Sequence, residues 1–290
     1  MSSKRIYALT SIARPLEPEF PTNKAVLILL PIIAVACALY QLIGPGEQSP
    51  GAAALSGALA AFAGWALTRE LAPDDNPAAF ISMTLGVAGV LFVGIETVLP
   101  AFVALFLVRI VNRSVGKPAT RIDSLLILVL AVGAGWSLDK PVLTWVGAAA
   151  FLLDARLAPR SPVQLLPAVV CVIAPVVWQT PFVVPSLDFA VPSLEPVLSG
   201  NARFAAFTAM TLLYAYAGAS TRQLAATGDA TGEPLVTARV RGGMLVGVLV
   251  AVESLLAGDG QFAAGYDALL WSCIAGVGVG NLLRLARPRS

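Results

Sequence analysis

Histidine does not occur once in the 290 residues. Its absence removes the commonest metal ligand and the commonest acid–base group near neutral pH. Only three cysteines are present, Cys37, Cys171 and Cys273, each inside an apolar run and far from the others. No CxxC pair exists, so a zinc or dithiol motif is excluded, and the three thiols read as small buried apolar residues. Charge is equally scarce. Asp, Glu, Lys and Arg make up 12% of the chain, about half the usual share of a soluble domain. A net charge of +2, with no basic stripe, gives no basis for nucleic-acid binding. No nucleophile elbow, Walker loop or dinucleotide fingerprint occurs. The run Gly276–Gly280 alternates glycine and valine, but it lies inside an apolar helix with no strand before it.

What fills the chain is apolar: 57% of residues, with a mean hydropathy of +0.81. Between Ala79 and Val111 only Glu96 and Arg109 are charged. As one helix this run would reach roughly 50 Å at about 1.5 Å per residue, against a hydrocarbon layer of about 30 Å. It reads instead as a helical hairpin turning near Gly94, Glu96 and Pro100. The expected fold is an all-α, polytopic integral membrane protein of about ten transmembrane helices arranged as hairpins. The spans fall near residues 25–43, 51–68, 79–95, 97–111, 122–136, 141–153, 163–178, 204–220, 242–257 and 264–283. Residues 1–24 read as a cytoplasmic segment and 25–220 as a membrane domain of about eight spans. Residues 221–241 read as a flexible cytoplasmic loop, and 242–290 as two final spans with a short tail. Met1–Lys24 lacks a cleavage pattern, so the first run reads as a retained anchor.

Charge placement fits an even number of spans with both ends cytoplasmic. With that threading, 17 of the 19 Lys and Arg fall on one side, and Lys140 and Arg203 on the other. The Ala- and Arg-rich, Lys-poor composition points to a bacterial inner membrane. Four even-numbered spans end in an Arg followed by a Leu-Ala pair, a weak trace of a repeated two-helix unit. In the loop 179–203, Val-Pro-Ser-Leu-Asp is echoed as Val-Pro-Ser-Leu-Glu, and its prolines argue against a regular helix.

Two polar clusters are candidate sites. Glu96, Glu253 and Asp267 lie near the outer face at membrane depth, where ionisable groups are costly and often functional. They support a transporter or permease for a small solute, coupled to a cation or proton. On the inner face lie Arg69, Glu70, Asp74, Asp75, Arg113, Asp123 and Asp154. Carboxylates there can hold Mg²⁺ and cations can meet phosphate, which supports an enzyme acting on a lipid or prenyl (pyro)phosphate. Intramembrane prenyltransferases of the UbiA type carry aspartate motifs after the second and sixth spans. This chain is similar to them in the positions of Asp74, Asp75 and Asp154, but lacks their N-x-x-x-D-x-x-x-D and D-x-x-x-D spacings, so the similarity is one of position and length. Only that enzyme reading calls for a cofactor, Mg²⁺, and the balance of features leans away from an enzyme. A third reading is a non-catalytic subunit or scaffold. Gly243/Gly247 and Gly276/Gly280 form small-x-x-x-small steps that let helices approach closely, within the chain or against a second copy or membrane partner. Pro167 and Pro175 are expected to kink the seventh span.

Overall fold

In a computed structural model, residues 3–44, 48–93, 97–179, 202–257 and 266–286 are described. Among them there is no strand, and a single isolated bridge joins Thr227 and Pro234. The helices are α1 (Ser3–Leu9), α2 (Pro21–Ile43), α3 (Pro50–Leu71), α4 (Asn76–Val93), α5 (Leu99–Asn112), α6 (Arg121–Ser137), α7 (Pro141–Arg156), α8 (Leu165–Gln179), α9 (Ala202–Ser220), α10 (Thr237–Ala257) and α11 (Tyr266–Ala286). Each of the ten apolar runs overlaps one helix from α2 to α11. Five helical stretches are long and apolar enough to cross a membrane: Pro21–Ile43, Pro50–Leu71, Asn76–Val93, Pro162–Gln179 and Asp267–Ala286. The chain is therefore all-helical, with the makeup of a membrane protein.

Local chemistry sets the helix starts. Proline opens α2, α3 and α7, where its missing N–H costs no helical bond. Ser49 caps α3 by accepting from Ala52 N at 3.3 Å. Thr120 and Asp123 form a reciprocal capping box at the start of α6. Asp75 accepts from Ala78 N at 3.1 Å and so caps α4. Pro167 and Pro175 are buried in α8, Pro167 in its first turn and Pro175 in its interior.

The short helix α5 is the axis of the bundle. It contacts α3, α6, α7, α10 and α11, and 11 of its residues are buried. Its 14 residues rise about 21 Å. A helix walled in by others need not match the bilayer by itself. The periphery reverses the soluble pattern. Ile28, Ile32 and Val35 on α2, Leu125 and Val129 on α6, and Val169 and Ile173 on α8 are exposed. An apolar belt of this extent fits a lipid-facing surface.

Successive helices alternate in direction, so one end of the bundle gathers the C-termini of α3, α5, α7, α9 and α11 with the N-termini of α2, α4, α6 and α10. Contacts among Arg69, Asn23, Arg109, Glu70, Arg113, Asp154, Arg239 and Arg241 tie these ends together. We call this end the arginine face. Residues 221–236, expected to be a flexible linker, fold onto it. Asp229 N donates to Ser114 O at 3.2 Å and Ala230 N to Val115 O at 3.0 Å. Asp74 accepts from Ala225 N and Ala226 N at 2.9 and 2.7 Å. The hairpin turn 94–96 and the repeated loop 180–201 lie outside the described residues.

The glycine steps face inward rather than toward a partner. A Cβ on Gly243 would meet Asn112, and one on Gly276 would meet Ser82 and, at 2.9 Å, the Ala78 carbonyl. Gly276→Val is expected to destabilise the protein by about 1–3 kcal/mol through overpacking of α11 on α4. Gly133→Val, at a site with nothing within 4 Å, is expected to be close to neutral. Thermal unfolding of the detergent-solubilised variants checks both.

Candidate functional site at the arginine face

Glu70, in the last turn of α3, is the hub. It is 1% exposed, and its Oε1 accepts from Arg109 Nε at 3.0 Å and from Arg14 NH1 at 2.9 Å. Arg109 also donates to Ile12 O at 3.1 Å, which fastens the N-terminal segment over the end of α5. Asn112 donates to the Glu70 carbonyl at 2.7 Å. A buried carboxylate is tolerable only when paired in this way. Arg14 reaches onward to Asp229 in a fork, Nε to Oδ2 at 2.6 Å and NH2 to Oδ1 at 2.9 Å. Burial alone works against the Arg14 charge, but Glu70 and Asp229 outweigh it and hold the guanidinium more firmly protonated than usual.

A second hub is structural. Asp154, fully buried at the end of α7, accepts from Arg113 Nε at 2.8 Å and Arg239 NH1 at 2.7 Å. Arg239 also donates to Val111 O, Leu157 O, Ala158 O and Pro159 O, at 2.6 to 3.1 Å. One guanidinium thus closes the open carbonyls at the ends of two helices. Arg113 itself caps α5 in the left-handed region, with φ 52°.

Two cavities adjoin the first hub and share Arg14, Arg69, Glu70 and Asp229 in their walls. One has a volume of about 290 Å³, the other about 340 Å³. The smaller grades from polar to apolar. Arg69, Trp65 and Phe62 sit at i, i−4 and i−7 along α3, so they line one face at increasing depth. The Arg69 guanidinium lies 5.2 Å from the Trp65 ring centre, a cation–π contact. Arg69 donates only to Thr22 Oγ1 and Asn23 Oδ1, at 3.2 and 3.3 Å, and among the described residues has no carboxylate partner. Trp65 is buried and lines the cavity, while its indole nitrogen is enclosed by the protein and has no acceptor among the described residues. Tyr7 completes the mouth. Burial, then Asp229 and Glu17, push its hydroxyl up to about 12, so it stays a donor.

The inner-face residues occupy different places in the structure. Arg69 and Glu70 do meet at a cavity, and Asp74 lines the neighbouring one. Asp75 caps α4, Asp123 caps α6 and accepts from Thr10 and Ser11, and Asp154 is held by Arg113 and Arg239. Each of these carboxylates already has a protein partner. Among the described residues no three His, Cys, Asp or Glu side chains converge in a metal-binding arrangement. At the opposite end Glu253 and Asp267 are both buried and interact electrostatically, with Lys140 also near Glu253. Neither lines any of the four cavities described. Glu96, the third member of that outer set, lies outside the described residues. Sequence reading missed Arg14, Asp229 and Arg239 as site residues. Asp229 carried a usable signal, because Thr-Gly-Asp-Ala-Thr-Gly has the composition of an ordered turn.

Asp154→Ala would leave two buried guanidiniums without their carboxylate. A loss of roughly 3–5 kcal/mol is expected, seen as a lower midpoint of thermal unfolding in detergent.

Comparison with protein-family models, with curated proteins and with solved structures finds no match to this chain, so its chemistry is read from this geometry.

Proposed function

We propose that this is a ten-span protein of a bacterial inner membrane, with both ends and the arginine face in the cytoplasm. Its function, in this reading, is to bind an anionic amphiphile, a lipid or prenyl phosphate, in the 290 Å³ cavity. The observation that carries the reading is Arg69, a guanidinium with no carboxylate partner among the described residues, in a cavity wall that runs on to Trp65 and Phe62. The phosphate meets Arg69 and Tyr7, and the apolar tail follows Trp65 and Phe62 inward. Arg109 is held by Glu70 and acts as support, keeping the α3 and α5 ends in register. Recognition without a resident metal agrees with the commitment of Asp75, Asp123 and Asp154 elsewhere, and favours binding or transfer of the amphiphile over cleavage.

Arg69→Gln is expected to weaken farnesyl monophosphate binding about tenfold or more, the size of a lost charge-assisted contact. Titration of the purified full chain, followed by tryptophan fluorescence, measures this. Farnesol and inorganic phosphate are the companion probes. An amphiphile site predicts weak binding of both, whereas a free-phosphate site predicts that inorganic phosphate binds as well as the prenyl ester. Equal affinity of wild type and Arg69→Gln for all three contradicts the site.

A second reading, solute transport coupled through the outer carboxylates, is supported by the paired burial of Glu253 and Asp267, 4% and 3% exposed. That reading predicts that Glu253→Gln abolishes proton-coupled solute flux in vesicles without lowering the unfolding midpoint. Unchanged flux contradicts it.

A further inference from the structure

The two carboxylates on Arg14 are not equivalent. Glu70 is sealed, at 1% side-chain exposure, and belongs to a rigid helix end. Asp229 is 27% exposed and sits on the folded loop 221–236, which forms one wall of both cavities. Its two oxygens take Arg14 Nε and NH2 side by side. That planar fork suits a carboxylate and a phosphate equally well. With Asp229 in place, three guanidiniums (Arg14, Arg69, Arg109) and three carboxylates (Glu17, Glu70, Asp229) line the smaller cavity. The charges balance, which is a poor state for receiving an anion. Removal of Asp229 alone would leave a positive excess and free the Arg14 fork, 2.9 Å from its anchoring Glu70 oxygen.

We propose that Asp229 is an internal stand-in for the ligand's anion: an incoming phosphate monoester takes its place on Arg14, and binding thereby loosens the turn 225–230 of the folded loop on the arginine face. The inference rests on the cavity reading above and adds the ligand's headgroup class and a consequence of its arrival. Near Asp229 the loop is also held by Asp74 to the Ala225 and Ala226 amides, by the Ser114 and Val115 carbonyls to the Asp229 and Ala230 amides, and by buried Gly228 against Gly116. Arg241 on the Thr221 carbonyl and Thr237 on the Arg222 carbonyl anchor its first residues, so loss of the fork loosens the turn around Asp229 and leaves that end of the loop in place. No covalent step is involved. Internal competition sets the affinity, and the loop reports occupancy to the cytoplasmic side.

The test uses the full chain in detergent with farnesyl monophosphate as probe. Asp229→Asn is expected to bind about fivefold tighter than wild type, because the competing anion is gone at a partly exposed pair. In wild type, saturating probe is expected to speed hydrogen exchange at the amides of Ala225, Ala226, Asp229 and Ala230. A purely structural role for Asp229 predicts the reverse: weaker binding by the variant and slower exchange on ligation. Unchanged or weaker binding by Asp229→Asn overturns the exchange, and if Arg69→Gln is still impaired the cavity reading stands. Absence of probe binding by wild type overturns both.

Discussion

One carboxylate holds the polar end of this bundle together. Glu70 sits at the end of α3, sealed from water, with Arg109 from the central helix on one side and Arg14 from the N-terminal segment on the other. Burying that charge would be prohibitive alone, and burying either arginine would be too. Together they join three stretches of chain that are far apart in sequence. The cavity with Arg69 in its wall exists because Arg14 and Arg109 are turned toward Glu70, while Arg69, next to Glu70 in sequence, is turned away from it toward Thr22, Asn23 and Trp65.

The same arrangement explains why the arginine face is rich in charge while the flanks are apolar. Helices that end against lipid need their last carbonyls closed, and arginine does this with several donors at once. Arg239 closes the ends of α5 and α7, and Arg241 closes the end of α9 through Gly218, Ala219 and Thr221 carbonyls. The basic residues of this face are therefore structural caps. Of the three guanidiniums in the first cavity, Arg14 and Arg109 are paired with carboxylates and Arg69 has none among the described residues, whereas both guanidiniums around Asp154 are paired with it.

Much of the architecture was legible in the sequence. The 33-residue run with two charges was too long for one span, and it folds as α4 and α5. Alternating basic ends anticipated that Arg69, Arg109, Arg113, Arg239 and Arg241 share one face. The reason is simple: apolar periodicity and charge placement are local and survive without tertiary information. Partnerships are not local. Asp154 looked like a metal ligand because the sequence could not show that Arg113 and Arg239, 41 and 85 positions away, enclose it. Asp75 and Asp123 looked free, yet both turn back to cap the helices they precede or begin. Asp229 lies in a stretch that resembled a loose linker, and only folding brings it to Arg14, 215 positions away.

The central claim is that the Arg69–Trp65 cavity is where this protein meets its ligand. An experimental structure of the full chain with farnesyl monophosphate tests it most directly. The account predicts phosphate density within hydrogen-bonding distance of Arg69 and Arg14, with the prenyl chain running past Trp65 toward Phe62. Density at the Glu253–Asp267 end, or an ordered ligand that touches neither Arg69 nor Arg14, would contradict it.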